Sequence, residues 1–177
     1  MRTENQVNPL GIGTSTPRFS WQITSDRKGV VQTSYQILVA SSREKLDRNE
    51  ADLWDSGERN SDEQLWIPYQ GKALLSGAQA YWKVRITTNR GKSEWTEPQL
   101  FTIGLLGETK WSGTWIGLED LQPGEQKGMH TRLAARYIRK DFAAKGKVKR
   151  AVAYVAGLGV YEFYVNGQRM GGSQALQ

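Results

Sequence analysis

Residues that could carry out chemistry are few in this sequence. His130 is the single histidine, and there is no cysteine. Zinc binding or base catalysis at His130 would need further ligands or partners nearby, and its neighbours Met129 and Thr131 offer none. We therefore expect His130 to be a surface residue. The lack of cysteine excludes disulfides, thiolate metal sites and a cysteine nucleophile.

Two adjacent acids, Glu119 and Asp120, could suggest acid–base catalysis. Glycoside hydrolysis uses carboxyl groups that face each other across a substrate, roughly 5 to 10 Å apart. Neighbours in a strand point to opposite faces, so we expect these acids to lie in a solvated loop. Gly157-Leu158-Gly159 lies between predicted strands with no helix after it, which argues against a phosphate loop. The sequence therefore predicts no catalytic, cofactor-binding or metal-ligating residue.

Seven tryptophans are the notable excess in the composition. Exposed indole rings stack on sugar faces, so a carbohydrate platform is one interpretation, and burial is the other. The tryptophans that we expect to be buried are Trp21, Trp82 and Trp95 in a core, and Trp111 and Trp115 at a junction between domains. Trp54 and Trp66 are the candidates for exposure, and the sequence leaves open whether either binds sugar.

A basic cluster supplies much of the net charge of +6. Its members are Arg139, Lys140, Lys145, Lys147, Lys149 and Arg150. Such a cluster can attract nucleic acid, but no aromatic residues alternate with these cations as a single-strand groove would prefer. The sequence favours a solvated turn between two strands, and we predict no nucleic-acid partner.

The sequence predicts no membrane partner either. No apolar run approaches the roughly 20 residues needed to cross a bilayer. The polar start, residues 1–8, is not a secretory signal. A mature secreted chain would look the same, so the compartment stays open, with the periplasm or the exterior slightly favoured over the cytoplasm.

The elements that must position these residues are short strands. Runs of β-branched and aromatic residues, closed by turn residues, recur along the chain. The predicted strands are 18–23, 34–40, 53–54, 64–69, 80–88, 95–103, 136–142, 151–156 and 161–165. Ser41 and Glu44 have capping-box spacing, which predicts one short helix from about Arg43 to Asn49 with Leu46 as its apolar anchor. Asn166-Gly167 predicts a tight hairpin turn. The fold class is therefore all-β.

The first part of the chain resembles a fibronectin type III domain. Leu75 lies six residues before Tyr81, which matches the corner where that family ties a tyrosine hydroxyl to upstream backbone. Trp21 fits the early-strand tryptophan of the family's core, and Trp95 and Phe101 fit its buried anchors in the last strands. The resemblance implies an immunoglobulin-like sandwich.

A second resemblance covers nearly the whole chain and is carried by an ordered set of stretches. They are NPLGIGTSTPRFSWQI, QTSYQILVASS, ADLWDSG, YWKVRITTNRGKSEW, ARYIRKDF and YVAGLGVYEFYVNGQRMG. This set resembles the N-terminal region of bacterial α-L-rhamnosidases. The resemblance implies a fibronectin-like domain, then a jelly-roll-like sandwich, then an (α/α)6 barrel that inverts configuration with two acidic residues. Those acids lie outside this sequence.

The predicted domains are a fibronectin III-like sandwich, residues 1–104, and the opening part of a second sandwich, residues 105–177. Under this interpretation the chain is a non-catalytic accessory region. Its partners would be the barrel domain of the same polypeptide, a rhamnose-containing glycan, or a second copy joined through open sheet edges. The alternative is a stand-alone module for adhesion that binds a glycan or a protein.

Overall fold

The computed structural model describes residues 1–107, 111–118, 120–126, 128 and 134–170. The chain forms two compact units, residues 1–114 and 115–177. The elements are β1 (Arg2–Thr3), β2 (Arg18–Ser20), β3 (Gln32–Ala40), α1 (Arg43–Asp47), β4 (Trp54–Asp55), β5 (Arg59–Asn60), β6 (Ile67–Pro68), β7 (Gln79–Thr88), β8 (Gly91–Lys92), β9 (Gln99–Thr102), β10 (Phe163–Val165) and β11 (Gln168–Met170). The prediction of an all-β fold is confirmed.

Two antiparallel sheets form the first unit. The smaller sheet has the order β1-β2-β6. The larger sheet has the order β4-β3-β7-β8, with β5 also paired to β3 and β9 to β7. Pro68 lacks an amide hydrogen, and accordingly it ends β6, which is an edge strand. The two long strands, β3 and β7, form the centre of the larger sheet, and β4, β5, β8 and β9 pair with them.

The core lies between the sheets and follows the alternation of β3 and β7. Ile37 is paired with Val84, and Val39 with Trp82, so one face of both strands is apolar. From the opposite sheet, Phe19 stacks on the Trp82 ring with 4.3 Å between centroids. These five side chains are buried, as the period-2 pattern predicted.

The other face of β3 is covered by α1. Leu46 is fully buried against Leu38 and Ala40, so it is the apolar anchor that the sequence predicted. The predicted cap was wrong by one residue: Ser42, not Ser41, accepts the hydrogen bond from the Lys45 amide. Ser41 donates its hydroxyl to Asp52 at 2.7 Å instead.

Trp95 is not a core residue, which corrects the prediction from the fibronectin resemblance. It packs on the outer face of the larger sheet, beside Leu38 and Leu46. The Arg85 guanidinium lies 4.4 Å from the centroid of the Trp95 ring, and Lys83 Nζ lies 5.1 Å from it. Cations over an indole ring are attracted by its electron-rich face, which explains why this tryptophan covers a charged strand.

The predicted tyrosine corner is also wrong. The Tyr81 hydroxyl accepts a hydrogen bond from the Gln79 side chain, and Leu75 is exposed. The buried tyrosine with a backbone tie is Tyr69, whose hydroxyl donates to the Lys72 carbonyl at 2.7 Å. Gly71 makes room for this tie, because a Cβ there would overlap the Tyr69 hydroxyl and the Leu53 carbonyl.

The second unit has one hairpin among its described residues. β10 pairs antiparallel with β11, and Asn166 and Gly167 form the turn at φ values of 50° and 79°. Two positive φ values are what a type I′ turn requires, so the predicted turn is confirmed. The described segments 136–142 and 151–156 form no strand, contrary to prediction. A strand needs a hydrogen-bonding neighbour, and these segments have none in the described part of the chain.

Candidate functional site

Most of the residues that the sequence raised as candidates for chemistry lie apart or outside the described structure. His130 and Glu119 are not among the described residues, and Asp120 is exposed. Within the described ranges, no group of three or more acidic or histidine side chains could hold a metal ion. Gly159 has a φ of 127° and precedes no helix, as expected of a turn rather than a phosphate loop.

The basic cluster of residues 139–150 is exposed throughout. Arg139 forms an ion pair with Asp141 at 2.9 Å. The cluster is solvated, as the sequence favoured, but it is not a turn between two strands, because the flanking segments 136–142 and 151–156 form none. Among the described residues, no helix is both long and apolar enough to span a membrane.

Three tryptophans of the first unit are held inside it. Trp21 and Trp82 are buried, and each indole N–H donates a hydrogen bond of 3.0 Å, to Gln32 and Thr3 respectively. Trp54 was a candidate for exposure, but it packs against the core with its ring 5.4 Å from that of Tyr69. These rings are structural.

Trp66 is the remaining candidate of the pair, and it is 42% exposed. The Arg18 guanidinium lies over its ring, 4.3 Å from the centroid. Glu4 holds that guanidinium in place with two hydrogen bonds, of 2.8 Å and 3.1 Å. A bidentate carboxylate fixes the plane of a guanidinium, so the Trp66 ring rests on an oriented support.

The electrostatics of this support favour its charged form. The hydrogen bonds from Arg18 lower the pKa of Glu4 below its usual value, against the opposing effect of burial. The pKa of Arg18 is raised by the same hydrogen bonds. The pair therefore stays ionised at neutral pH, and Glu4 balances the charge of Arg18 beside the indole ring.

Trp66 adopts a strained backbone conformation, with φ at 60°. The left-handed region costs an L residue roughly 1 to 2 kcal/mol. The Ser20 hydroxyl oxygen accepts a hydrogen bond from the Trp66 amide N–H at 3.1 Å, which helps to hold this conformation. Strain of this kind persists where the surrounding structure requires a particular side-chain direction.

Sequence reasoning singled out neither Arg18, which supports the Trp66 ring, nor the exposed Leu65 next to it in the sequence. A signal was available in the stretch Gln64-Leu65-Trp66-Ile67. Successive side chains of a strand alternate between faces, so three adjacent apolar residues cannot all be buried on one face. Ile67 is buried, and both Leu65 and Trp66 are exposed.

A second exposed surface lies in residues 134–170. Tyr137 is 97% exposed and Phe142 is 80% exposed. The other large apolar residues exposed here are Ile138, Val148, Val152, Tyr154, Val155, Leu158, Val160, Tyr161, Tyr164, Val165 and Met170. Soluble chains rarely expose so many apolar side chains in one segment without an interaction partner. Trp111 and Trp115 are also exposed, and their predicted role at a junction stays a prediction.

Two family models match this chain. The model described as "Rha78A-like, N-terminal immunoglobulin domain" matches residues 1–107. The model described as "Alpha-L-rhamnosidase N-terminal domain" matches residues 146–177. The two matches follow each other along the chain in the order that the sequence resemblance implied.

Curated relatives give the same result. An α-L-rhamnosidase of Formosa agariphila is 36% identical over an alignment that covers 93% of this chain and 19% of the relative. An α-L-rhamnosidase of Alteromonas sp. is 35% identical and covers 98% of this chain and 19% of the relative. The chain thus spans about a fifth of the length of these relatives.

Solved structures are similar as well. The α-L-rhamnosidase from Dictyoglumus thermophilum matches with a TM-score of 0.63 and 36% identity, over 67% of this chain and 13% of that one. The Streptomyces avermitilis α-L-rhamnosidase complexed with L-rhamnose matches with a TM-score of 0.61 and 38% identity, over 65% of this chain and 11% of that one.

Proposed function

Since the chain belongs to the family of Rha78A-like N-terminal immunoglobulin domains, we propose that it is the non-catalytic N-terminal accessory region of an α-L-rhamnosidase. The observation that carries the proposal is the match to curated α-L-rhamnosidases along 93% of this chain and only 19% of the relative. In this proposal, the whole enzyme removes terminal α-L-rhamnose by inverting hydrolysis. The two acidic residues that perform it lie in a barrel domain beyond residue 177.

We propose a domain boundary near residue 104. The last strand of the first unit, β9, ends at Thr102, and the Ile103 amide still donates to the Ala78 carbonyl at 2.8 Å. Gly104 lies against Gly11, so close that a Cβ would meet the Gly11 carbonyl oxygen at 2.8 Å. These contacts support placing residues 1–104 in the fibronectin-like domain, with the proposed second sandwich taking 105–177. The first compact unit itself extends to residue 114, and Leu106 packs against its core.

The partner proposed for the second unit is the rest of the same polypeptide. A two-stranded hairpin such as β10–β11 is marginally stable alone, and its outer edges can pair with further strands. The exposed apolar side chains of residues 134–170 would supply one wall of a sandwich core. The match of the second family model to residues 146–177 supports this assignment, because the matched segment contains the hairpin.

The experiment compares two proteins, the 177-residue chain and the polypeptide encoded by the whole gene. Both are incubated with p-nitrophenyl α-L-rhamnopyranoside, and p-nitrophenyl β-D-glucopyranoside serves as the control substrate. The proposal predicts release of p-nitrophenol from the rhamnoside by the longer protein and none by the chain alone. Activity of the purified chain would refute its non-catalytic role, and preference of the longer protein for the glucoside would refute the family activity.

A further inference from the structure

The surface around Trp66 extends along the segment that leads into β6, residues 61–66, here called the 61–66 loop. Buried groups hold its backbone. The Gln32 side chain, itself 3% exposed, donates to the carbonyls of Ser61 at 2.9 Å and Glu63 at 3.0 Å. The Trp21 amide donates to the Gln64 carbonyl at 3.0 Å. The loop is therefore tied to the core before any ligand arrives.

A rigid loop loses little conformational freedom when it binds a ligand, and this lowers the cost of binding. The Gln32 side chain is itself held by the core. The Trp21 indole N–H donates to the Gln32 side-chain oxygen and thereby orients the amide group that binds the loop carbonyls. Together with the Ser20 contact to the Trp66 amide, buried or nearly buried groups fix both ends of the loop.

The side chains that the 61–66 loop presents outward combine apolar and acceptor groups. Leu65 is 65% exposed, and the next residue in the sequence, Trp66, is 42% exposed. Asp62 and Glu63 are exposed, and neither carboxylate accepts a hydrogen bond from any described residue. Asp62, Glu63, Gln64 and Leu65 line one shallow cleft with Trp21 and Gln22, and Trp66 follows these residues along the chain without lining the cleft.

We propose that the 61–66 loop is a binding platform for a neutral sugar ring. The apolar C–H face of a sugar stacks on an indole ring, and sugar hydroxyls donate to carboxylate oxygens. An anionic ligand is disfavoured, because Asp62 and Glu63 would repel it and Glu4 already neutralises Arg18. A sugar that carries a methyl group would gain further burial against Leu65.

The choice of L-rhamnose as the sugar rests on the proposed function, because its C6 methyl group suits the exposed leucine. The platform itself rests on the geometry of the 61–66 loop. If it binds rhamnose, the accessory domain holds rhamnose-containing glycan apart from the catalytic domain. Linking two binding sites in one polypeptide raises the effective concentration of substrate.

The test is a titration of the 177-residue chain with methyl α-L-rhamnopyranoside, followed by tryptophan fluorescence and by backbone amide NMR shifts. Trp66→Gly removes the ring and is compatible with the positive φ, so the fold is retained. Leu65→Ala removes the neighbouring apolar side chain. Matched controls are Trp111→Ala, where the ring is 48% exposed, and Leu75→Ala, where the side chain is 70% exposed.

The proposal predicts shifted amides in residues 61–66, at least a 10-fold weaker binding constant in Trp66→Gly, and a several-fold loss in Leu65→Ala. Both controls should bind like the parent chain. No saturable shift in the 61–66 loop, or equal binding by Trp66→Gly, would overturn the platform. A negative binding result would not alter the outcome expected of the hydrolysis experiment. Conversely, binding of methyl β-D-glucopyranoside in place of the rhamnoside would support the platform and count against L-rhamnose as its ligand.

Discussion

Replacing Tyr69 by phenylalanine tests which tyrosine hydroxyl stabilises the first unit. Tyr69 is 3% exposed, and its hydroxyl donates to the Lys72 carbonyl at 2.7 Å. The Leu53 carbonyl, 3.3 Å from the same hydroxyl, also accepts from the Lys72 amide at 3.0 Å. Tyr69→Phe therefore deprives chiefly the Lys72 carbonyl of its donor. A hydrogen bond of this kind contributes about 1 kcal/mol to stability.

For a domain of this size, about 1 kcal/mol corresponds to a fall of about 4 to 8 °C in Tm. Tyr81→Phe is the matched control, because its hydroxyl accepts only from the Gln79 side chain among the described residues. That change should alter the free energy of unfolding by less than about 0.5 kcal/mol. Thermal and urea unfolding of the chain, followed by tryptophan fluorescence, measures both. A larger loss from Tyr81→Phe than from Tyr69→Phe would refute the assignment and restore the tyrosine corner.

The same residue gives a pH signature. Burial raises the pKa of Tyr69 from 10.0 to about 12. Between these values the unfolded chain loses the phenolic proton while the folded chain keeps it, so the free energy of unfolding falls as pH rises through this window. Burial also raises the pKa of Tyr35, so Tyr35 makes a second contribution of the same sign, which the Tyr69→Phe variant retains. Tyr69→Phe should therefore lose part of the alkaline slope and keep the part due to Tyr35.

Further changes test other parts of the molecule by the same unfolding assays. Trp21→Ala should lower the free energy of unfolding by roughly 3 to 5 kcal/mol, because it opens a cavity in the core and leaves the Gln32 side-chain oxygen without its donor; a neutral result would show that the alignment to the fibronectin core is misplaced. Gly71→Ala should destabilise strongly, since its Cβ would overlap the Leu53 carbonyl. Burial raises the pKa of Asp52, but hydrogen bonds from Lys45 and Ser41 outweigh it and lower the pKa to about 2. The stability due to Asp52 should therefore be lost as pH falls from 3.8 to about 2, and Asp52→Asn should flatten that part of the acid titration. Because the strands of the second unit have open edges, sedimentation of the chain should show association that rises with concentration. A strictly monomeric chain with slow amide exchange throughout residues 136–170 would contradict the prediction that these edges are unpaired.

The sequence predicted the parts of the first unit that depend on local pattern. Alternation in β3 and β7 gave the buried face correctly, because period 2 is a property of the strand itself. The helix was predicted as well, but its cap was not, since Ser41 and Ser42 are both capable caps. Asp52, eleven residues after Ser41, takes up the Ser41 hydroxyl, and no short-range pattern contains that contact.

Long-range contacts also explain the error at Trp95 and the support of Trp66 that the sequence did not reveal. Trp95 is as apolar as a core residue, and only the register of β7 reveals that Lys83 and Arg85 lie beneath it. The support for Trp66 comes from Arg18 and Glu4, which are 48 and 62 residues away in the sequence. The sequence showed that Trp66 was a candidate for exposure. It could not show that the ring is stacked and its backbone left-handed.

The second unit separates local from non-local determinants most clearly. Asn166-Gly167 needs only its own backbone to turn the chain, and β10 and β11 form around it. Residues 136–142 have an equally good strand composition, yet Tyr137 and Phe142 remain exposed and the segment pairs with no strand in the described structure. Propensity for a strand is realised only when a partner supplies hydrogen bonds and covers one face. The same residues should therefore become protected from exchange when the longer polypeptide is expressed. In the isolated chain, the amides of the hairpin should be more protected from exchange than those of residues 136–142.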